Sequence, residues 1–105
     1  DDMALGFNAM GGVGCISVTS NVAPKLCSEF QKAMREGRWD EALKMQDRLF
    51  PLHKALFSDA SPAPTKYALS RIRPGFPTEI RLPLVEASEA SKRAVDAALE
   101  HAGLI

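Results

Sequence analysis

The chain has 105 residues, 46% of them hydrophobic and 25% charged, with thirteen basic and thirteen acidic residues and a formal net charge of zero. That length holds one small domain or a piece of one, and the charge balance excludes an electrostatic binder of nucleic acid or of anionic membranes. No apolar run approaches the roughly 18 residues of a membrane span, so no membrane partner is expected.

The chain opens on Asp1-Asp2-Met3, without an initiator Met or a signal-peptide pattern, and reads as interior sequence. Met3, Phe7 and Met10 recur at i, i+4 and i+7 and predict a short helix over 3–10, ended by Gly11 and Gly12. Residues 14–18, Gly-Cys-Ile-Ser-Val, predict one strand with no strongly polar outer position, which suits a strand covered on both faces. One strand cannot make a sheet, because its N–H and C=O groups need neighbours. Its isolation points to the tail of a larger α/β protein.

Asn21 is a plausible N-cap for a helix beginning near Pro24, with Leu26, Phe30, Ala33 and Met34 as its apolar stripe and Gly37 as its stop. A second helix carries a broad apolar face of Trp39, Ala42, Leu43, Gln46, Leu49, Phe50, His53, Leu56 and Phe57. Pro51 lies inside it and should kink or interrupt it. After a proline-rich joint at 58–64, Ser61 can cap a third helix, with Tyr67, Ala68, Leu69 and Ile72 as apolar positions. Residues 73–77 read as a loop and 81–85 as extended chain whose prolines disfavour a central strand. The last helix starts near Ser88, shows a small-residue face of Ala87, Ser91, Ala94, Val95, Ala98, Leu99 and Ala102, and closes at Gly103.

Few residues carry chemistry. Gly11-Gly12-x-Gly14 precedes a strand, whereas a dinucleotide fingerprint follows one and opens a helix, so nucleotide binding is not expected. Asp1 and Asp2 are adjacent carboxylates, suited to proton transfer or to complementing a helix start. Cys15 and Cys27 show no CxxC or Cys/His spacing, so no metal site is expected. Two buried, reduced thiols are expected instead, which fits a cytoplasmic setting. His53 on an apolar face reads as a packed, hydrogen-bonded core histidine, and His101 as an exposed group complementing a helix C-terminus. Thr19, Ser20 and Asn21 follow the carboxyl end of the strand, where parallel α/β folds place ligands; helix capping is their other role. No nucleophile–base pair is visible.

Four segments carry a resemblance: Gly11-Gly12-Val13-Gly14-Cys15-Ile16-Ser17-Val18-Thr19-Ser20-Asn21-Val22-Ala23, Leu49-Phe50-Pro51-Leu52-His53, Arg81-Leu82-Pro83-Leu84, and Ala98-Leu99-Glu100-His101-Ala102-Gly103-Leu104. In these the chain is similar, over its whole length, to the final third of the dihydrodipicolinate synthase / N-acetylneuraminate lyase family. The resemblance implies the C-terminal part of a (β/α)8 barrel, with residues 1–36 ending the barrel (helix, eighth strand, eighth helix) and 37–105 forming an added helical region.

It further implies a class I aldolase, in which a lysine forms a Schiff base with pyruvate and the enamine attacks aspartate semialdehyde in lysine biosynthesis, without a cofactor. The Schiff-base lysine and the proton-relaying tyrosines lie on earlier parts of such a barrel, so this stretch holds no catalytic residue. Lys25, Lys66 and Tyr67 do not match them. Ile16 matches the residue whose backbone carbonyl faces bound pyruvate, and Asp1 and Asp2 match an acidic pair near the site mouth. Met3 and Val18 replace the Glu and Ser with which sialic acid lyases hold their sugar chain, so the synthase branch is preferred. The family also implies a homo-oligomer, commonly a dimer or tetramer, with Phe7, Asn8 and Met10 as the candidate contact. Other pyruvate aldolases of the family, and a free-standing helical interaction module, stay open as alternatives.

Overall fold

A computed structural model describes residues 1–105. Five α-helices follow one another: α1 (Ala4–Ala9), α2 (Pro24–Arg35), α3 (Trp39–Ala55), α4 (Ala63–Ile72) and α5 (Glu89–His101), with a 3-10 turn at Thr19–Asn21 before α2. There is no strand. Residues 12–17, which include most of the expected one, run without regular structure, because no other segment of this chain offers them a ladder.

The helix ends show why the elements sit where they do. α2 and α5 both close in a Schellman motif. Gly37 (φ +72°) donates its N–H to Met34 O and Arg38 to Ala33 O, at 3.1 and 2.8 Å. Gly103 and Leu104 repeat the pattern onto Glu100 O and Leu99 O, at 3.0 and 2.9 Å. Both glycine stops are therefore where the sequence puts them. Ser88 caps α5 as expected, its side chain accepting the Ser91 N–H at 3.2 Å. Asp59 adds to that cap by accepting the Ser88 N–H at 2.8 Å, and this bond holds its carboxyl below the ordinary range.

Two expected caps are corrected. Asn21 does not cap α2; it belongs to the 3-10 turn, where its side-chain amide donates to Val18 O at 3.1 Å, and Ala23 takes the N-cap with Pro24 as first helical residue. Ser61 does not cap α4 either, because Pro62 occupies the N-cap and no side chain closes that end.

Pro51 does not interrupt α3, which runs through it for 17 residues. Proline has no N–H to give to the carbonyl four residues back, here Asp47 O. That carbonyl is met instead by His101 Nε2 from α5, at 3.1 Å, and the neighbouring Arg48 Nε donates to Ala102 O at 2.7 Å. The lost helical bond is thus replaced by a tie to the next layer. His101 is exposed, as expected, and has this added partner.

α3 is the central element, packed on α2 and α5, with α4 against α5. Leu26, Phe30, Ala33 and Met34 are all buried, as their spacing predicts. Leu49, Leu52, Leu56, Val95 and Leu99 are fully enclosed and form the middle of the core. Each large aliphatic side chain buried this way stabilises the fold by about 1.5–3 kcal/mol. Ala98 and Ala102 lie on the buried side of α5, while Ala94 is exposed.

The α3 face is narrower than its apolar pattern suggests. Ala42, Leu49, His53 and Leu56 are inside with Leu52 and Ala55, but Trp39, Leu43, Phe50 and Phe57 face outward. The thiols also differ from expectation: Cys15, on the unpaired segment, is exposed, and Cys27 is half-buried. Burial nonetheless pushes the Cys27 thiol up from its ordinary value.

Candidate functional site

The wall of interest begins at α1. A six-residue helix is too short to be stable alone, so tertiary contacts must hold it. Ala4 is buried beneath it, and Asn8 Nδ2 donates to Gln31 Oε1 on α2 at 2.9 Å. The chain then turns back sharply: Gly12 N–H donates to Phe7 O at 3.0 Å, and a Cβ on Gly12 would lie 2.2 Å from Phe7 Cδ1. Residues 12–17 leave this turn with their apolar side chains outward, Ile16 fully exposed and Val13 nearly so.

The downstream end of that segment is pinned by polar groups. Asp1 Oδ2 accepts the Val18 and Thr19 N–H groups at 2.9 and 3.1 Å, where the 3-10 turn presents unsatisfied donors. The Cys15 thiol approaches the other carboxylate oxygen at 3.6 Å. Ser17 and Ser20 bond each other's backbone, each at 2.9 Å. Thr19 Oγ1 lies 2.7 Å from His53 Nδ1, and both residues are buried. Which atom of this pair donates follows the imidazole tautomer: with the proton on Nε2 the hydroxyl donates to Nδ1, and with it on Nδ1 the ring donates to the hydroxyl. Nε2 is buried without a partner. Burial above all lowers the His53 pKa to about 4, against an opposing pull from Asp2. The ring is therefore neutral at pH 7.

Asp2 is tied elsewhere: its carboxylate pairs with Lys54 at 3.6 Å and its carbonyl accepts Gln46 Nε2 at 3.0 Å. Asp1, Asp2, His53, Lys54 and Phe57 line an open cleft of about 360 Å³. A second cavity, about 250 Å³, is lined by Asp1, Cys15, Ser17, Cys27 and His53 among others. The two Asp residues thus come together with His53, and Asp1 serves a structural end at the same time. Ile16 stands apart from them on the unpaired segment.

The remaining candidates have plain surroundings. Lys25 pairs with Glu29 at 3.9 Å on an exposed helix face, Lys66 Nζ donates to Glu79 O at 2.6 Å, and Tyr67 donates to Asp96 at 3.0 Å. No three His, Cys, Asp or Glu side chains gather as a metal-holding group, and no helix is long and apolar enough to cross a membrane. Phe7 and Met10 are exposed, whereas Asn8 is half-buried against α2. Sequence reasoning placed His53 in the core but did not pair it with Thr19, since 34 residues separate them.

Comparison with solved proteins gives the class. The chain has the fold of the C-terminal portion of a (β/α)8-barrel enzyme, carried by its helical region. It superposes on a dihydrodipicolinate synthase described as the first monomeric variant, with a TM-score of 0.93 at 40% identity, covering 100% of this chain and 35% of that one. Against the dihydrodipicolinate synthase of Thermotoga maritima the TM-score is 0.91 at 39% identity, covering 99% and 35%.

The chain belongs to the dihydrodipicolinate synthetase family, whose sequence model it matches over residues 1–102. It is 70% identical over 105 residues to the 4-hydroxy-tetrahydrodipicolinate synthase of Zymomonas mobilis and 69% identical over 104 residues to that of Rhizorhabdus wittichii. It covers 100% and 99% of itself in those matches, and spans 36% of the length of each relative.

Proposed function

We propose that this chain is the C-terminal part of a 4-hydroxy-tetrahydrodipicolinate synthase, a class I lyase that joins pyruvate to aspartate semialdehyde in lysine biosynthesis in the cytoplasm. The observation that carries this reading is the 70% identity, over all 105 residues, to a relative bearing that name. In this reading residues 1–36 complete the barrel and 37–105 form the helical region. Ile16 takes the eighth-strand position, its backbone carbonyl facing the bound keto acid. Asp1 and Asp2 line the mouth. The lysine that loses water with the pyruvate carbonyl to form the imine lies in the remainder of the barrel, and no cofactor takes part.

The outward apolar side chains support this reading over a free-standing helical module. Val13, Ile16, Met10, Phe50 and Phe57 are large apolar side chains left 43–105% exposed, and such surface where contiguous marks a partner. In the intact enzyme the barrel covers part of that surface, and a homo-oligomeric contact at Phe7 and Met10, with Asn8 beside them, covers more.

Borohydride trapping tests the assignment. The full-length parent incubated with pyruvate and reduced should gain one pyruvyl adduct by intact mass. This chain alone should gain none, since Lys25 and Lys66 are not the matching lysine. An adduct on either of them, or none on the parent, overturns the reading.

A further inference from the structure

We infer that His53 is a positioning residue for the keto-acid wall: from α3 it holds Thr19, and through Thr19 it fixes residues 14–19. The inference rests on the aldolase reading above for its meaning in catalysis, but the clamp itself stands on geometry.

Every polar atom of Thr19 is used. Its N–H goes to Asp1 Oδ2 at 3.1 Å, its carbonyl accepts Val22 and Ala23 N–H at 2.9 Å each, and its hydroxyl meets His53 Nδ1 at 2.7 Å. Thr19 is wholly enclosed and His53 is 4% exposed, so water does not compete for that bond. The Thr19 hydroxyl and the His53 ring have no other hydrogen-bond partner, since His53 Nε2 has none.

Ile16 lies three residues upstream, on a segment without regular structure in this chain. In the aldolase reading the same segment is the eighth strand, so Thr19 anchors the end of the strand that carries Ile16, about 10 Å away at most. Ser17 and Ser20 bond only within the same loop. Asp1 holds the backbone from the α1 side, and His53 is the side chain from the helical region that holds Thr19. A displacement of about 1 Å at a reacting group can cost on the order of 100-fold in rate. The tie thus gives the helical region a direct hold on substrate geometry. The tie is a bond between a hydroxyl and a neutral ring, and burial favours the uncharged form.

The test uses the full-length parent and four variants: His53→Leu, His53→Asn, Thr19→Val and the double His53→Leu/Thr19→Val. Asn places a carbonyl oxygen near the position of Nδ1; Leu and Val remove the bond. His53→Leu and Thr19→Val should each raise the KM for pyruvate about tenfold or more and speed amide exchange over residues 14–19. The double variant should be no worse than the poorer single, and His53→Asn should return KM to within about threefold of the parent. If Leu at 53 prevents folding, Thr19→Val and His53→Asn carry the same comparison. Unchanged exchange at 14–19 in Thr19→Val overturns the clamp. Faster exchange there with KM unchanged overturns the positioning role. Borohydride trapping of the unmodified parent is run alongside. No adduct there defeats the aldolase reading, whatever the exchange shows.

Discussion

Residues 1–23 and the helical region from Trp39 to Ala102 are held by different means. The helical region closes on itself: Leu49, Leu52, Leu56, Val95 and Leu99 exclude water and the backbone is spent within helices. The leading region puts Ala4, Val22 and Ala23 into the core but turns Met3, Phe7, Met10, Val13 and Ile16 outward, and point contacts at Asp1, Asn8 and Thr19 hold the stretch between. The difference teaches that apolar burial decides where this chain is self-sufficient. Polar pins hold the stretch that leaves its large apolar side chains exposed.

The sharpest way to break the comparison is Leu52→Ala. A fully enclosed leucine between helices should cost 2–5 kcal/mol, read as a shift in the urea midpoint. A loss below about 1 kcal/mol would show that the helical region does not depend on its core.

The pins answer to pH. His53 has its pKa lowered to about 4 when folded, against an ordinary value near 6.5 when unfolded. The unfolded chain therefore binds the extra proton first as pH falls. No penalty exists above about pH 6.5; stability then declines down to about pH 4 and flattens below it, for this group. The total is at most ~3 kcal/mol at 1.36 kcal/mol per pKa unit. Urea titrations from pH 7 to 4, compared with Thr19→Val/His53→Leu, isolate it. An identical decline in that double variant would assign the effect to other groups.

A smaller effect probes the polar exception inside the helical region. His101→Ala should cost about 0.5–1.5 kcal/mol, because Asp47 O loses the donor that replaces the one Pro51 lacks. In a Pro51→Ala background the helix supplies its own N–H, and the same His101 substitution should then cost about half as much or less. Equal costs in both backgrounds would mean the two positions are uncoupled.

In the chain alone, the smallest effect is expected at Ile16→Ser. The side chain is fully exposed, so the chain alone should change by no more than about 0.5 kcal/mol by urea unfolding. The full-length parent should lose well over 1 kcal/mol, if the barrel buries this position. Equal, negligible changes in both would leave the segment uncovered in the parent as well.

Much of this was legible in the sequence where the signal is local. Gly37 and Gly103 end helices because glycine takes the left-handed turn of a Schellman closure at no steric cost, and Ser88 begins one because its hydroxyl reaches Ser91 N–H. The stripe from Leu26 to Met34 is buried as its period predicts. What failed was non-local. Periodicity gathered Trp39, Leu43, Phe50 and Phe57 on one side of α3, but it cannot say which neighbour covers that side. The strand pattern of 14–18 is intact, yet strand formation needs partners that other segments supply. Asn21 and Ser61 were displaced as caps by the turn and the proline that precede their helices. At the candidate site, the Asp pair and Ile16 could be singled out by resemblance. The Thr19–His53 contact could not, because nothing in either residue's local sequence announces the other.

The turn between α1 and the unpaired segment has a consequence for sequence variation. The Phe7 ring occupies the space that a side chain on residue 12 would need, with Asn8 Oδ1 only 2.8 Å from the same point. A side chain at 12 therefore requires the exposed Phe7 ring to swing outward and the Asn8 amide to shift. With a smaller residue at 7, alanine at 12 should enter this turn with less rearrangement.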